Sequence, residues 1–248
     1  MDEYESEYKV FFNFSSTKNS VPGYLRMGFI PLFNKAYMNR DTIPGLMKFI
    51  LAVNKKEGLH QGKIRFGDFG NIIVSDRPNP KDMSAVVHKQ KSNGRRISLL
   101  QDEKFFTWRF SNNRRKYAFY YYQQNNNVNG YVVINVSENN KRGFISDYSA
   151  DDYVAIEEIL NFILKNKHFE IVSIYSYSIN NDLSKILRKL RFKNKSLTRT
   201  IEKRKEGEWP LFIRPVKPDY GETDCFIEGL DIRKIESWEI KEICSDGS

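Results

Sequence analysis

Cysteine is scarce in this chain: Cys225 and Cys244 are the whole complement. Two such residues, far apart in sequence, support neither a disulfide framework nor a CxxC metal site. Histidine is no more generous. His60, His88 and His168 are isolated from one another, so no zinc constellation can be drawn. No apolar run approaches the ~20 residues that span a bilayer. The N-terminus carries Asp2, Glu3, Glu5 and Glu7 where a secretory leader needs basic and then apolar residues. These absences leave a soluble protein of a reducing, cytoplasmic compartment as the expectation, without metal and without a membrane span.

Aromatic residues, by contrast, are plentiful: fourteen Tyr and eighteen Phe bring the aromatic share to 14%. That richness fits a packed, sheet-containing protein and excludes a disordered one. A length of 248 residues is ample for one large core or two modest ones. The net charge of +9 invites an anionic partner, although a Lys- and Asn-rich, bacterial-style composition also produces it.

One arrangement occurs twice. Tyr8-KVFFNF-SSTKNS-VPGYLRM-Gly28-Phe29 runs from an apolar stretch through a Ser/Asn turn into a short helix. Phe169-EIVSIYSYS-INND-LSKILRKL-Arg191-Phe192 repeats that order. One constant offset carries Asn13 onto Ser176, Tyr24 onto Leu187 and Phe29 onto Phe192. About a hundred residues of sheet and helix precede the second copy and only a few precede the first, so the chain is expected to begin inside a domain.

Between the copies, periodicity and punctuation predict the remaining elements. Residues 29–38 read as a single strand, and Thr42-Ile43-Pro44 opens an amphipathic helix through Leu46, Phe49, Ile50 and Val53. Gly58–Gly70 reads as turns. Asp76–Met83, with two prolines and no apolar pattern, reads as a linker. Asp102 caps a helix carrying Phe105, Phe106, Trp108 and Phe110. Strands Tyr117–Gln123 and Gly130–Ser137 flank an Asn-rich turn and predict a hairpin. A strand Arg142–Tyr148, a helix Tyr153–Asn166 with the stripe Ile156, Ile159, Leu160 and Ile163, a strand His168–Ser178, a helix Asn181–Leu190 and a strand Ser196–Lys203 follow. Leu211–Pro215 is β-like, and Trp238-EIKEI-Cys244 is compatible with strand or helix.

This order resembles the GNAT (GCN5-related N-acetyltransferase) superfamily, and Phe12-NFSSTKNSVPGYLRMGF-Ile30 resembles its closing motif. In that motif a helix carries Tyr four residues before Gly-Phe, as Tyr24 stands before Gly28-Phe29; Thr17 stands where the family usually has Asn. The resemblance implies an α/β (α+β) fold with a mixed, mostly antiparallel sheet flanked by helices. The implied organisation is two-unit: residues 1–79 close a first unit, most of which is missing, 80–205 form a second, and 206–248 extend it across the sheet. It implies acyl transfer from acetyl-CoA to an amine on a small-molecule acceptor; some such proteins modify bacterial sugars or cell-surface polysaccharide precursors. Tyr24 is the implied catalytic acid, a phenol suited to protonating the departing thiolate. Asn19 and Ser20, at the turn before its helix, are the implied cofactor contacts.

The second unit departs from the pattern. Family members cradle pyrophosphate on a Gly-rich turn at the start of the central helix, where free N–H groups and the helix dipole favour anions. Here the sequence is Ile145-SDYSADDY-Val154, without glycine and with Asp151 and Asp152 at the helix start. Those carboxylates occupy the N–H groups and repel phosphate, so no conventional CoA site is expected in residues 97–203, and the chain is expected to be inactive alone. Leu187, opposite Tyr24 in the repeat, has no proton to give. Asp147, Glu157 and Glu158 are the remaining carboxylates considered as bases, the latter two reading as a wet helix face. The basic run Lys185–Lys205 reads as a solvated face or an anionic rim; only Phe192 interleaves it, so nucleic acid is not the expected partner. Two other readings stand beside acyl transfer: a non-catalytic GNAT-like binding module, and a basic nucleic-acid-binding protein.

Overall fold

The structure, a computed structural model, describes residues 9–14, 16, 19–34, 37–42, 64–91, 96–111, 114–138, 141–176, 178–195, 210–217 and 219–244. The predicted helix from Thr42 and the strand Ser196–Lys203 lie outside the described residues, apart from Thr42 itself.

An eight-stranded sheet organises the protein. Its strands are β3 (Tyr37–Asp41), β4 (Gly67–Phe69), β5 (Ile72–Ser75), β7 (Lys116–Gln124), β8 (Asn127–Val136), β9 (Arg142–Ala150), β10 (Ile171–Tyr175) and β11 (Lys193–Lys195), while the short β6 (Ile97–Ser98) lies outside it. Their order across the sheet is β11-β3-β10-β9-β8-β7-β5-β4. Every neighbouring pair is antiparallel except β9 and β10, which run parallel. The architecture is thus the expected mixed, mostly antiparallel sheet.

Strand alternation explains how both faces are covered. Along β7, Tyr117, Phe119 and Tyr121 point to one side, where helices α2 (Pro80–Lys91) and α3 (Glu103–Phe110) supply Met83, Val86, Val87 and Phe106. Ala118 and Tyr120 point to the other, beneath α4 (Tyr153–Lys165) and α5 (Asn181–Lys189). The predicted stripe of α4 is buried as expected: Ile156, Ile159, Leu160 and Ile163 are each at most 1% exposed. The hairpin is tighter than predicted. Asn125 and Asn126, φ 51° and 60°, make a two-residue turn and β8 begins at Asn127. Two successive positive φ values match the twist of the flanking strands, and Asn tolerates them.

The linker reading of 76–83 is corrected. Asn79 caps α2 by accepting from the Asp82 amide, and its own amide group donates to the Asp82 carboxylate, 2.6 Å away. Pro80 is the first helical residue, where its missing N–H costs nothing. The same stretch that punctuates a chain can therefore start a helix. The sheet also crosses the 79/80 division, because β3 pairs with β10 and β11, and β5 with β7, all three of the later segment.

Residues 29–38 are not one strand but parts of two, in different sheets. β2 (Ile30–Asn34) belongs to a three-stranded sheet of order β1-β12-β2, with β1 (Val10–Asn13) and β12 (Pro210–Pro215). β3, two residues further on, crosses into the large sheet. The consequence is a reciprocal exchange. After the first motif (β1, helix α1 over Val21–Arg26, β2), β3 inserts between β10 and β11 of the second. After the second motif, β12 inserts between β1 and β2 of the first. Phe14, Leu211, Ile213, Cys225, Ile232, Trp238 and Ile240 form a separate core behind the small sheet.

Candidate functional site

The two closing motifs end their helices in the same turn. The amides of Met27, Gly28 and Phe29 reach the carbonyls of Gly23, Leu25 and Tyr24. The amides of Leu190, Arg191 and Phe192 reach Ile186, Arg188 and Leu187 at the same offset. At the helix ends the repeat inferred from order is therefore matched bond for bond, although α1 has six residues and the second helix nine. What differs is the side chain at its centre: Leu187 is fully buried against the large sheet, whereas Tyr24 is half-buried.

Tyr24 is held on three sides. Its ring stacks on Phe212 of the exchanged strand β12 (centroids 5.3 Å apart, planes at 25°) and meets Phe29 edge-on at 5.2 Å. Its oxygen accepts a 2.8 Å hydrogen bond from the Asn13 side-chain amide at the end of β1. In that bond the phenol is acceptor, so the bond does not consume its own proton. Arg214, two residues along β12, lies 5.3 Å from the centroids of both Phe11 and Phe29 and donates to the Met27 carbonyl. Tyr220 donates to the Gly28 carbonyl. The carbonyls of the turn that follows α1 are thus held from the C-terminal part of the chain, a role no local pattern announces. Of the two implied cofactor contacts, Ser20 is the N-cap of α1 but makes no side-chain capping bond, and Asn19 is exposed beside it.

In the second copy, β9 and β10 pair from Arg142↔Ile171 to Ile145↔Ile174 and then part. A bulge at Ser146 coincides with the parting, where β8 slips its register between Val133 and Ile134. Parting parallel strands leave a crevice at their carboxyl ends, the usual ligand position in such sheets. Here the chain's own C-terminal segment lies in it. Ser178, just beyond β10, bonds both the amide and the carbonyl of Ile240 (2.8 and 2.7 Å). From the next residue, the Lys241 ammonium donates to the Tyr148 carbonyl on β9 at 2.6 Å. The predicted strand or helix at Trp238–Cys244 proves to be a two-residue strand, Trp238–Glu239, parallel to Ile97–Ser98, followed by a short 3-10 turn.

Two of the three carboxylates considered as bases are engaged. Asp147 is fully buried in contact with Lys241; Glu157 pairs with Lys189 on α5, and Glu158 is exposed on the wet face of α4. Asp152 caps α4 by accepting from Val154 N at 3.0 Å, and Asp151 pairs with Lys89. On the basic run, Lys185 pairs with Asp182. His168 is buried with Nδ1 3.0 Å from the Tyr120 hydroxyl. No cluster of metal-ligating side chains occurs among the described residues, and no described helix is long and apolar enough to cross a membrane.

No protein-family model matches the sequence, and no curated protein matches it. Solved structures do match in shape. One is a conserved protein of Enterococcus faecalis V583 described as a probable N-acyltransferase, with TM-score 0.54 and 13% identity over 87% of this chain and 47% of that one. Another is a GCN5-related N-acetyltransferase from Anabaena variabilis ATCC 29413, with TM-score 0.53 and 12% identity over 87% of this chain and 48% of that one. The fold is GNAT-like. The chain spans about half the length of each of these two structures. Acyl-CoA is the cofactor such a fold implies, and the second copy of the GNAT-like motif does not fit it. The Val154 amide in the first turn of α4 is taken by Asp152, and the crevice between β9 and β10 holds Ile240 and Lys241.

Proposed function

We propose that the protein serves N-acyl transfer from an acyl-CoA to a primary amine on a small molecule, amino sugars of cell-surface polysaccharide precursors included. Tyr24 of the first copy is its proton donor, and the second copy is its scaffold. Acyl-CoA, when bound, supplies the activated acyl group. The chain's own part is to hold and release a proton at the Tyr24 oxygen, oriented by Asn13 and by the stacked Phe212. One observation carries the reading: of two motifs with the same backbone hydrogen bonds, only the first has a proton-bearing side chain at its centre, held by a side-chain hydrogen bond. The second copy gives β12 to the first and so supports the ring that transfers the proton.

The test is release of free thiol from acetyl-CoA across a panel of amines, using the complete natural polypeptide. Tyr24→Phe is expected to lower the rate at least ~100-fold, within the usual ~10²–10⁴ range for a lost general acid, with little change in melting temperature. The filled crevice of the second copy favours a second reading, a non-catalytic GNAT-like binding module. Acetyl-CoA that neither binds by calorimetry nor loses its acyl group to any amine would establish that reading and overturn the first.

A further inference from the structure

Lys241 is an unusual place for a charge. It is 5% exposed, and its ammonium touches the Tyr148 carbonyl (2.6 Å), Glu239 (3.0 Å) and Asp147 (3.2 Å) while lying 4.8 Å from the centroid of the Tyr148 ring. Asp147, fully buried, is aimed at it by the Tyr131 hydroxyl (2.8 Å) and the Gln101 amide (3.1 Å), both bound to Oδ2. Burial opposes the lysine's charge, but Asp147 and then Glu239 outweigh it and hold the ammonium above its ordinary range.

Stability does not explain the pair. Removing two ions from water costs several kcal/mol each, and an apolar pair of the same size commonly packs as well or better. Nor does Lys241 serve the carboxylate fully: Asp147 Oδ1 lies within charge contact of Nζ yet accepts no aligned hydrogen bond. A buried carboxylate, a backbone carbonyl and an aromatic face converging on one point are the groups that recognise a primary ammonium. They converge where the parallel strands part, in the position where sheets of this kind take ligands.

We propose that this convergence is a primary-ammonium binding site whose resident ligand is the side chain of Lys241, so that the C-terminal segment sits in the crevice as an intramolecular stand-in for an external amine. Asp147, oriented by Tyr131 and Gln101, is the charge partner, and the Tyr148 carbonyl and ring complete the cage. While the segment is seated, the crevice is closed to other ligands. The proposal goes beyond acyl transfer and does not depend on it.

The experiment is Lys241→Ala in the full chain, titrated with n-butylammonium, with n-butanol as the uncharged match in shape and tetramethylammonium as a cation without N–H donors. Saturable binding of butylammonium at millimolar concentration is expected, with a raised melting temperature. Butanol, tetramethylammonium and the unsubstituted protein should show neither, and Asp147→Asn in the Lys241→Ala background should abolish the response. If Lys241→Ala does not fold alone, refolding that butylammonium promotes and butanol does not is the same result. Equal effects of butylammonium and butanol, a response that survives Asp147→Asn, or no response at all would overturn the site.

Discussion

Gly28 and Arg191 hold the same left-handed backbone, φ +74° and +61°, at the same point of the two closing motifs. Each follows a short helix and turns the chain so that the next amide, of Phe29 or Phe192, reaches back into it. Glycine adopts this conformation freely, whereas a side chain costs about 1–2 kcal/mol there. Arg191→Gly is therefore expected to stabilise the protein by about 1 kcal/mol, and Gly28→Ala to destabilise it by a similar amount. The second cost is purely conformational, since an added Cβ at 28 meets nothing nearer than 3.9 Å. Urea unfolding midpoints decide it; a midpoint unmoved by Arg191→Gly would mean the left-handed residue is unstrained.

A different glycine is required by space. A Cβ at Gly130 would lie 2.7 Å from the Ala155 methyl and 3.0 Å from that of Ala150, both buried. Gly130→Ala should push α4 away from β8 and cost about 1–3 kcal/mol, the range of overpacked cores. Adding Ala155→Gly should recover part of that loss. Thermal unfolding of the single and double variants measures the coupling, and strict additivity would argue that the two methyls never meet.

His168 predicts sensitivity to acid. Burial lowers its pKa to about 4, against about 6.5 in an unfolded chain. The unfolded state thus takes up the proton first, and native stability falls as pH drops from about 6.5 towards 4. The loss is at most about 3 kcal/mol for this one group. Above pH 6.5 the histidine makes no pH-dependent contribution. Denaturant unfolding at pH 7 and pH 4.5 should show the difference, and His168→Gln should reduce the slope; an unchanged slope would place the acid sensitivity elsewhere.

The exchanged strand makes its own prediction. Phe212 is fully buried and carries the Tyr24 ring. Phe212→Ala should cost about 3–5 kcal/mol, as large-to-small aromatic changes do. The Tyr24 ring resonances should also move towards those of a solvated tyrosine. Leu187→Ala should cost about 2–5 kcal/mol in the second copy without moving them. Unshifted Tyr24 resonances in Phe212→Ala would mean that β12 does not position the ring.

Much of the fold was legible because it is local. The apolar stripe of α4, the Asp102 cap and the Asn-rich hairpin each follow from neighbours within a few positions, and each is present in the structure. Tyr24 was singled out differently, by the resemblance of its spacing to Gly28-Phe29 to the closing motif of the GNAT superfamily. Asn79–Met83 was misread since Pro80 carries opposite meanings in a linker and at the first position of a helix. The distant support of this motif was not legible: Phe212, on which the Tyr24 ring stacks, and Arg214 and Tyr220, which bond the Met27 and Gly28 carbonyls, lie almost two hundred residues away, and nothing in their own surroundings marks them.

By itself the sequence determined most of the elements and pointed to the duplication, because propensity, capping and periodicity act over a few residues. Tertiary structure alone decided which sheet each closing strand joins and which cleft the C-terminal segment enters. β3 and β12 have no local signal for a partner, since any strand offers the same backbone donors and acceptors. Their exchange, and the meeting of Lys241 with Asp147, are decided by which buried groups would otherwise lack partners once the core has closed.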